Sequence, residues 1–305
     1  MDTSKERPLN VLETEKANPA TDDIDRMSPL EIVQTINAED AKVAHAVELV
    51  LPQIAQAIEA IAERLRRGGR LIYVGAGTSG RLGSLDASEC PPTFNLTPDT
   101  VIACIAGGPT AMTLAHEDFE DSIEAGRADV EKLSLQATDS VVGITASGRT
   151  PYVRGAIAHA QERQALTIGL ACNGNSPLAQ EVEIMIAPVV GPEVITGSTR
   201  LKAGTAQKMV LNMLSTGSMI LLGKTFGNLM VDVQTTNYKL RQRALSIVRQ
   251  ATGWDAEAAQ TLLDASGGET KTAILVAHAN ITPEQAREQL AKHGNVLRAA
   301  LDAML

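Results

Sequence analysis

The sequence predicts an α/β fold in which a doubly wound, mostly parallel sheet is followed by a small C-terminal all-α region. Five short apolar runs recur between residues 70 and 188, and most of them end in small, hydroxyl-bearing or amide residues. The runs are apolar throughout rather than alternating, which is typical of parallel strands covered on both faces. Helical patterns lie between them. A sheet of this kind binds its ligands beyond the carboxyl ends of its strands.

The region before the first apolar run has two parts. Residues 1–28 are polar and contain proline, and we interpret them as an N-terminal arm. A helical region begins at Pro29, because Ser28 is a favoured N-cap and proline is favoured in the first turn. Its later part, Ala44 to Arg67, is predicted to be one long amphipathic helix that ends at Gly68-Gly69.

The apolar runs are the predicted strands, and helices are predicted to follow them. The strands are Arg70–Val74, Thr100–Ala106, Ser140–Thr145, Leu166–Ala171 and Glu183–Pro188. Residues 198–250 are predicted to be helical, and patterns near 255–264, 269–279 and 282–304 predict three C-terminal helices. We therefore expect an arm at 1–28, a sheet domain at 29–250 and a three-helix domain at 251–305.

Composition and charge restrict the classes of function. The net charge is −9 and aromatic residues make up 2%, which argues against a nucleic-acid partner. Cys90, Cys104 and Cys172 are scattered, as expected of reduced thiols in a cytoplasmic protein. The N-terminal residues have no apolar signal core, and the longest apolar run, Met209–Leu222, is too short and too polar to span a membrane.

The first strand leads into a glycine-rich turn, GAGTSG at residues 75–80. The turn matches the dinucleotide-binding pattern, but that pattern also needs an acidic residue at the end of the second strand, where the sequence has AGGP at 106–109. We favour a phosphate site in which backbone N–H groups and the hydroxyls of Thr78 and Ser79 face an oxyanion at a helix N-terminus. A tight turn without a ligand is the alternative.

Two further turns rich in hydroxyls are predicted near the same edge of the sheet. The run ASGRTP at 146–151 places Ser147 and Thr150 at the start of a helix that the proline would open. The segment 193–204 contains Ser198 and Arg200 shortly before a long helix. Helix capping explains one such turn, but several turns at one edge favour a phosphate site.

Carboxylates cluster after the first two strands. Asp86 and Glu89 are three residues apart, and the run EDFED at 117–121 includes Glu117 and Glu120. An acid and a base beside a phosphate site would suit proton abstraction next to a carbonyl, whereas the alternative is a solvated helix face. The histidines do not cluster and the pattern H-E-x-x-H is missing, so we expect no metal site.

These motifs together resemble the sugar isomerase domain family of phosphosugar-binding proteins, and within it the N-acetylmuramic acid 6-phosphate etherases. The resemblance spans roughly residues 14 to 300, and the run GPEVITGSTRLKAGT is specific for these etherases and the related glucokinase regulatory protein. The blocks that carry it are TE (14–15) through NP (18–19), GAGTSGRLGSLDASECPPTF (75–94), IAGGPTA (105–111), EDS (120–122), ITASGRTPYV (144–153), GPEVITGSTRLKAGTAQKMVLNMLSTGSM (191–219) and TTNYKL (235–240).

The resemblance implies a homodimeric enzyme of cell-wall recycling that uses no cofactor. It implies cleavage of the lactyl ether of N-acetylmuramic acid 6-phosphate, giving N-acetylglucosamine 6-phosphate and D-lactate. The catalytic glutamates of the family map onto Glu89 and Glu120. The related regulatory protein suggests further substrate-binding residues here: Thr78, Ser79, Glu117, Ser147, Thr150, Ser198 and Arg200. Lys239 is either a source of positive charge near the site or an ordinary surface lysine.

The chemistry that the resemblance implies needs one base and one acid. A base removes the proton on carbon two of the open-chain sugar, which the neighbouring aldehyde acidifies, and the lactyl oxygen on carbon three then leaves. Water adds across the resulting double bond. The family assigns proton donation to Glu89, and we take Glu120 as the base. An acid that must hold its proton near neutral pH needs a dry or negatively charged pocket, so we expect one around Glu89.

Two rival functions share this fold class. An aldose–ketose phosphate isomerase would also use a glutamate base but would not release lactate. A sugar-phosphate sensor like the glucokinase regulatory protein would need phosphate ligands but no acid and base, so the presence of Glu89 favours an enzyme. Because the chain lacks room for a second sugar-binding domain, we expect the site to be completed by pairing of two identical chains.

Overall fold

The computed structural model describes residues 12–114, 117–233 and 238–304. The chain forms two compact units. The first unit consists of the described residues up to Ser88 and from Asp99 to Ser215. The second consists of the described residues of Glu89–Pro98 and Thr216–Leu305.

The first unit is built on a parallel sheet. Its strands are β1 (Leu71–Gly75), β2 (Val101–Ile105), β3 (Ser140–Ile144), β4 (Leu166–Leu170) and β5 (Ile184–Ile186). They lie in the order β2-β1-β3-β4-β5, and every neighbouring pair is parallel. The predicted fold class is therefore confirmed, and all the predicted strands form. The strand order reverses between β1 and β3, and a sheet of this order binds its ligand at that point.

Helices cover the sheet and connect its strands. They are α1 (Pro29–Glu48), α2 (Leu51–Arg66), α3 (Gly77–Phe94), α4 (Glu117–Glu120), α5 (Ile123–Glu131), α6 (Pro151–Glu162), α7 (Leu178–Glu181) and α8 (Lys202–Leu221). Alternate residues of β1 and β3, such as Ile72 and Val141, share a buried cluster with Val130 of α5 and Ile157 of α6. Since side chains alternate across a strand, the remaining strand residues lie on the opposite face.

Helix α3 packs closely against that opposite face. A Cβ on Gly80 would lie 2.6 Å from the carbonyl oxygen of Gly75 and 2.6 Å from Cγ1 of Ile105. A Cβ on Gly83 would lie 3.0 Å from Cβ of Tyr73. Gly80 and Gly83 therefore let α3 approach β1. This close approach brings the N-terminus of α3 to the edge of the sheet where β1 ends.

The N-terminal helices differ from the prediction in one respect. Ser28 caps α1 as expected, and Glu31 completes a capping box. The single helix predicted from Ala44 to Arg67 is wrong, because α1 ends at Glu48 and α2 begins at Leu51. The break falls just before Pro52, which has no N–H to donate and whose ring would clash with the carbonyl four residues earlier in a continuous helix.

The second unit is mostly helical. It contains the short antiparallel strands β6 (Thr225–Phe226) and β7 (Leu229–Met230), followed by α9 (Tyr238–Thr252), α10 (Ala256–Ala265), α11 (Thr270–Ala279), α12 (Pro283–Lys292) and α13 (Leu297–Asp302). Thr282 caps α12 in a capping box with Gln285. Ile247 and Val248 of α9 are buried in one cluster with residues of all four later helices.

This arrangement differs from the sequence prediction for residues 198–304. The hairpin of β6 and β7 interrupts the predicted helix, and Gly227 in its turn has a positive φ of 57°. The last predicted helix, 282–304, is two helices separated by Gly294 and Asn295, both with positive φ. Because α9 packs with the C-terminal helices, the boundary expected at residue 250 does not coincide with the division between the compact units.

Candidate functional site

The first unit contains a pocket of about 690 Å³, a size typical of small-molecule sites. Residues 76–79 after β1 and residues between 145 and 151 after β3 form most of its lining. Glu120, Asp121 and Thr199 also line it, together with Leu12 and Glu15 of the N-terminal arm. The pocket therefore lies beyond the carboxyl ends of β1 and β3, where the strand order reverses, as the fold predicts.

The turn after β1 supplies hydroxyls from the first turn of α3. Thr78 and Ser79 both line the pocket, and Ser79 is buried. The Ser79 hydroxyl donates to Oε1 of Gln207 on α8, at 3.0 Å between the oxygens. Nε2 of Gln207 is buried and has no hydrogen-bond partner among the described residues. The sequence analysis did not identify Gln207, since nothing local links α8 to this turn.

The turn after β3 holds a cluster of three hydroxyls. Oγ1 of Thr145 lies 2.8 Å from Oγ1 of Thr150 and 3.3 Å from Oγ of Ser147. The backbone N–H of Arg149 donates to Ser147 Oγ at 3.1 Å. Thr150 is the N-cap residue of α6, but its side chain makes no capping hydrogen bond. These hydroxyls and the positive end of the α6 dipole are thus directed to one region, an arrangement that suits an anion.

The third predicted loop contributes less to the pocket than expected. Thr199 lines the pocket, whereas Ser198 is half-buried, Arg200 is exposed, and neither is among the lining residues. Arg149, which sequence reasoning did not single out as a ligand, is part of the lining and adds a cationic residue beside Ser147. Its position directly before Thr150 in the predicted phosphate turn could have suggested this.

A buried glutamate fixes the loop that precedes α8. Glu193 is fully buried, and its carboxylate accepts the backbone N–H groups of Lys202 and Ala203, each at 2.9 Å. Burial raises the pKa of Glu193, and the two backbone hydrogen bonds offset this only in part. Glu193 thus satisfies two of the N-terminal N–H groups of α8.

A buried ion pair ties the start of α8 to α1. Lys202 Nζ donates to Oε2 of Glu39 at 2.6 Å, and the two side chains are 1% and 4% exposed. Lys42 contacts the other carboxylate oxygen of Glu39, also at 2.6 Å. Burial would raise the pKa of Glu39, but the hydrogen bonds from Lys202 and Lys42 outweigh it and lower the pKa to about 2.

The predicted catalytic carboxylates occupy different settings. Glu120 is the last residue of α4 and lines the pocket beside Asp121. The side chain of Glu117 lies outside the described part of the chain. Glu89 is exposed near the C-terminal end of α3, in sequence that belongs to the second unit. The single chain therefore does not provide the dry pocket that we expected around Glu89.

Asp86 lies three residues before Glu89, but its side chain is buried and has a structural role. It is 5% exposed, and its carboxylate accepts hydrogen bonds from the hydroxyls of Tyr73, at 2.9 Å, and Ser215, at 3.2 Å. Burial raises the pKa of Asp86. The carboxylate thus joins α3 to β1 and α8 inside the first unit.

The N-terminal arm belongs to the pocket, which sequence reasoning missed. Asn173, which follows β4, accepts the backbone N–H of Glu13 at 2.8 Å. Its amide nitrogen donates to Thr14 Oγ1 at 3.2 Å and to the carbonyl of Ala146 at 3.0 Å. These contacts place Glu15 in the lining. The block NGN after a strand could have indicated an anchoring amide, but its partner lies about 160 residues away.

Other chemistries find little support in the described residues. No group of His, Cys, Asp and Glu within 12–114, 117–233 and 238–304 could hold a metal ion. Burial raises the pKa of Cys104 to about 11 and that of Cys172 to about 12, so both remain neutral thiols and poor nucleophiles. No helix in the same ranges is long and apolar enough to cross a membrane. Lys239 is exposed on α9, and residues 235–237 of the TTNYKL block lie outside the described ranges.

Comparisons with known proteins agree with this fold. Residues 53–161 match the model of the glucokinase regulatory protein N-terminal SIS domain, and residues 119–217 match that of the SIS domain. The structure of a phosphoheptose isomerase from Francisella tularensis aligns with 64% of this chain and 100% of the isomerase chain, with a TM-score of 0.51 and 20% sequence identity. That likeness supports the fold alone.

Two curated relatives are much more similar in sequence. The N-acetylmuramic acid 6-phosphate etherase of Serratia proteamaculans is 55% identical over 96% of this chain and 99% of the relative. The etherase of the same name from Pectobacterium atrosepticum is 55% identical over 96% of this chain and 97% of the relative. The resemblance seen in the sequence is confirmed, and the chain belongs to the N-acetylmuramic acid 6-phosphate etherase family.

Proposed function

We propose that this protein cleaves the D-lactyl ether of N-acetylmuramic acid 6-phosphate and yields N-acetylglucosamine 6-phosphate and D-lactate, a step in the recycling of cell-wall amino sugars. The observation that carries the proposal is identity of 55% with etherases along nearly the whole chain. The pocket supports it, because it combines hydroxyl-rich turns at two helix N-termini with the carboxylates of Glu120 and Asp121.

The phosphate of the substrate is proposed to bind between the turns after β1 and β3. Thr78, Ser79, Ser147 and Thr150 all lie in the pocket lining. Their hydroxyls can donate to phosphate oxygens, and the positive ends of α3 and α6 favour a bound anion. We keep three further residues as proposed ligands: Ser198 and Arg200, which are not among the lining residues, and Glu117, whose side chain lies outside the described part of the chain.

The reaction is proposed to proceed by elimination and addition of water. Glu120 removes the proton on carbon two of the open-chain sugar, and the electron pair forms a double bond to carbon three as the carbon–oxygen bond to lactate breaks. Glu89 donates a proton to the departing lactate oxygen. Water then adds its hydroxyl to carbon three and a proton to carbon two. Each general acid or base step typically contributes about 10²–10⁴-fold to the rate.

We propose that the functional protein is a homodimer and that pairing completes the site. The exposure of Glu89 supports this, since a general acid needs an environment that water does not fill. Large apolar side chains on α1, such as Leu30 at 64% and Val33 at 57% exposure, are available for a partner surface. Sedimentation will measure the mass of the protein in solution, which should be twice that of one chain if the protein is a homodimer.

Mixing inactive variants tests whether the two catalytic glutamates of one site come from different chains. If they do, a mixture of Glu89→Gln and Glu120→Gln chains regains about a quarter of the parental activity, because half of the random dimers carry one intact site. If both glutamates act within one chain, the mixture stays inactive.

We propose that the reaction needs no metal or cofactor and takes place in the cytoplasm. The chemistry above requires only a carboxylate base and a carboxylic acid. The thiols of Cys104, which is half-buried, and Cys172, which is buried, are both free, which is consistent with a reducing compartment. Activity after exhaustive chelation tests the first point.

The proposed activity is tested by lactate release. Chelator-treated protein is incubated with N-acetylmuramic acid 6-phosphate, and D-lactate is assayed for the parent and for Glu89→Gln and Glu120→Gln. We expect release by the parent and a loss of about 100-fold or more in each variant. Glu124→Gln is the matched control, because Glu124 is exposed at the start of nearby α5 and does not line the pocket. Binding of the sugar phosphate without lactate release would instead favour an isomerase or a sensor.

A further inference from the structure

The N-terminal arm is held at the carboxyl edge of the sheet by more than surface contact. Thr14 is fully buried and Leu12 is 4% exposed. The side chain of Asn173 forms three hydrogen bonds, two to the arm and one to the carbonyl of Ala146, which directly precedes Ser147. The arm is therefore attached to the same turn that carries the proposed phosphate ligands.

A second attachment lies a few residues further along the arm. Asn18 donates to the carbonyl of Pro192 at 3.3 Å. Between the two attachments, Glu15 lies against the loop before α8, where its Oε2 is 3.0 Å from the position that a Cβ on Gly197 would occupy. A side chain at Gly197 would thus meet the Glu15 carboxylate. Fixed at both sides, the arm presents the half-buried Glu15 to the pocket.

The chemistry of Glu15 separates it from the phosphate ligands. An ionised carboxylate only accepts hydrogen bonds, and so does a phosphate, so the two groups repel each other. The pocket already provides hydroxyls and helix N-termini for the phosphate. A carboxylate in the same lining is suited to N–H and O–H donors, which the sugar carries on the part of the molecule away from its phosphate.

We propose that Glu15 is a specificity-determining residue of the pocket, which accepts a hydrogen bond from an amide N–H or a hydroxyl of the sugar and does not bind its phosphate. The inference rests on the proposed function for the identity of the sugar, whose acetamido and hydroxyl groups are such donors. It also makes residues 12–18 part of the binding site rather than a linker.

The test measures the affinity of two probes by calorimetry, inorganic phosphate and N-acetylglucosamine 6-phosphate. Glu15→Gln should weaken sugar-phosphate binding about tenfold or more, because a charged acceptor is lost. It should leave phosphate binding unchanged or make it tighter. The matched control is Glu13→Gln, since Glu13 is on the same turn but pairs with the exposed Lys16 and does not line the pocket. It should bind both probes like the parent.

A second variant tests the role of the anchored arm. Thr14→Val keeps the shape of a buried side chain but removes the acceptor for Asn173, and it should weaken sugar-phosphate binding while leaving phosphate binding intact. Unchanged sugar-phosphate affinity in Glu15→Gln would overturn the inference, and so would an equal loss for both probes, which would indicate general damage to the pocket.

The parent assay separates this inference from the proposed function. If the parent binds the sugar phosphate and the Glu15 pattern appears, but no lactate is released, the proposed reaction fails and the inference stands. If lactate is released and Glu15→Gln binds like the parent, the inference alone fails. If the parent binds no sugar phosphate, both fail.

Discussion

Replacing Lys202 by methionine should destabilise the first unit strongly and in a pH-dependent way. The variant leaves the Glu39 carboxylate, 4% exposed, without the buried ammonium group that lies 2.6 Å from it. Lowering the pKa of Glu39 from 4.5 to about 2 corresponds to about 3 kcal/mol, at about 1.4 kcal/mol for each pKa unit. Lys42 supplies part of that stabilisation and is retained.

Measurements on other buried ion pairs give a similar figure. Removing one partner typically costs about 3–5 kcal/mol, so with Lys42 in place we expect a loss of about 2–4 kcal/mol. For a unit of about 200 residues this lowers the melting temperature by about 4–16 °C, at about 2–4 °C for each kcal/mol. Circular dichroism of the helices measures the unfolding. The control is Lys42→Met, which removes the 61% exposed partner of the same carboxylate and should lower the free energy of unfolding by less than about 1 kcal/mol.

The pH dependence provides the sharper test. A carboxyl group whose pKa is lowered in the folded state stabilises the fold above its unfolded pKa, and this stability is lost as the pH falls through the folded value. The difference between parent and Lys202→Met should therefore be largest near pH 7 and shrink between about pH 4.5 and about 2. A loss that is independent of pH, or equal to that of Lys42→Met, would refute the reasoning.

Three further predictions follow from the described contacts. Gly80→Ala should destabilise the first unit by about 1–3 kcal/mol in thermal unfolding, because the new Cβ would lie 2.6 Å from the carbonyl oxygen of Gly75 in β1. Unchanged stability would show that α3 can move away from β1 and would contradict this prediction. Gln207→Glu should raise the KM for the sugar phosphate about tenfold. The amide of Gln207, whose Nε2 has no partner in the described residues, can turn to donate to Ser79 and so release the Ser79 hydroxyl to the phosphate, whereas a carboxylate can only accept from that hydroxyl. The effect should diminish at acid pH where the new carboxyl is protonated, and an effect on kcat alone would contradict this reasoning. Asp232→Asn should destabilise the second unit by about 3 kcal/mol, because burial already lowers the pKa of Lys271 and the variant removes the carboxylate at 2.9 Å from its ammonium group. The loss should diminish as rising alkaline pH neutralises Lys271, and a loss that does not change with pH would argue against this cause.

Local signals in the sequence were sufficient to predict the sheet and two of the turns that are proposed to bind phosphate. Continuous apolar runs identify strands that helices cover on both faces, and the glycines and hydroxyls after β1 and β3 mark the turns at their ends. Because parallel strands end at one edge of the sheet, the sequence alone predicts that the residues of both turns lie together. The N-cap at Ser28 was equally predictable, since helix capping is a local pattern.

Long-range contacts account for most of what the sequence did not reveal. Glu15 enters the pocket through Asn173, Gln207 reaches Ser79 from a distant helix, and Glu193 caps α8 across a loop. The break between α1 and α2 was missed for a local reason, because the amphipathic period continues across the break and only Pro52 marks it. The hairpin had a usable signal in Gly227-Asn228 between Thr225-Phe226 and Leu229-Met230, which the helical interpretation overlooked.

The most direct test of the proposed reaction is to run it in water enriched in ¹⁸O and to weigh both products by mass spectrometry. Elimination followed by addition of water breaks the bond between carbon three of the sugar and the lactyl oxygen. We therefore expect the ¹⁸O label to enter N-acetylglucosamine 6-phosphate and the hydroxyl of D-lactate to stay unlabelled. Label in the lactate hydroxyl would show that the bond on the lactate side breaks, and would contradict the elimination and the roles proposed for Glu120 and Glu89.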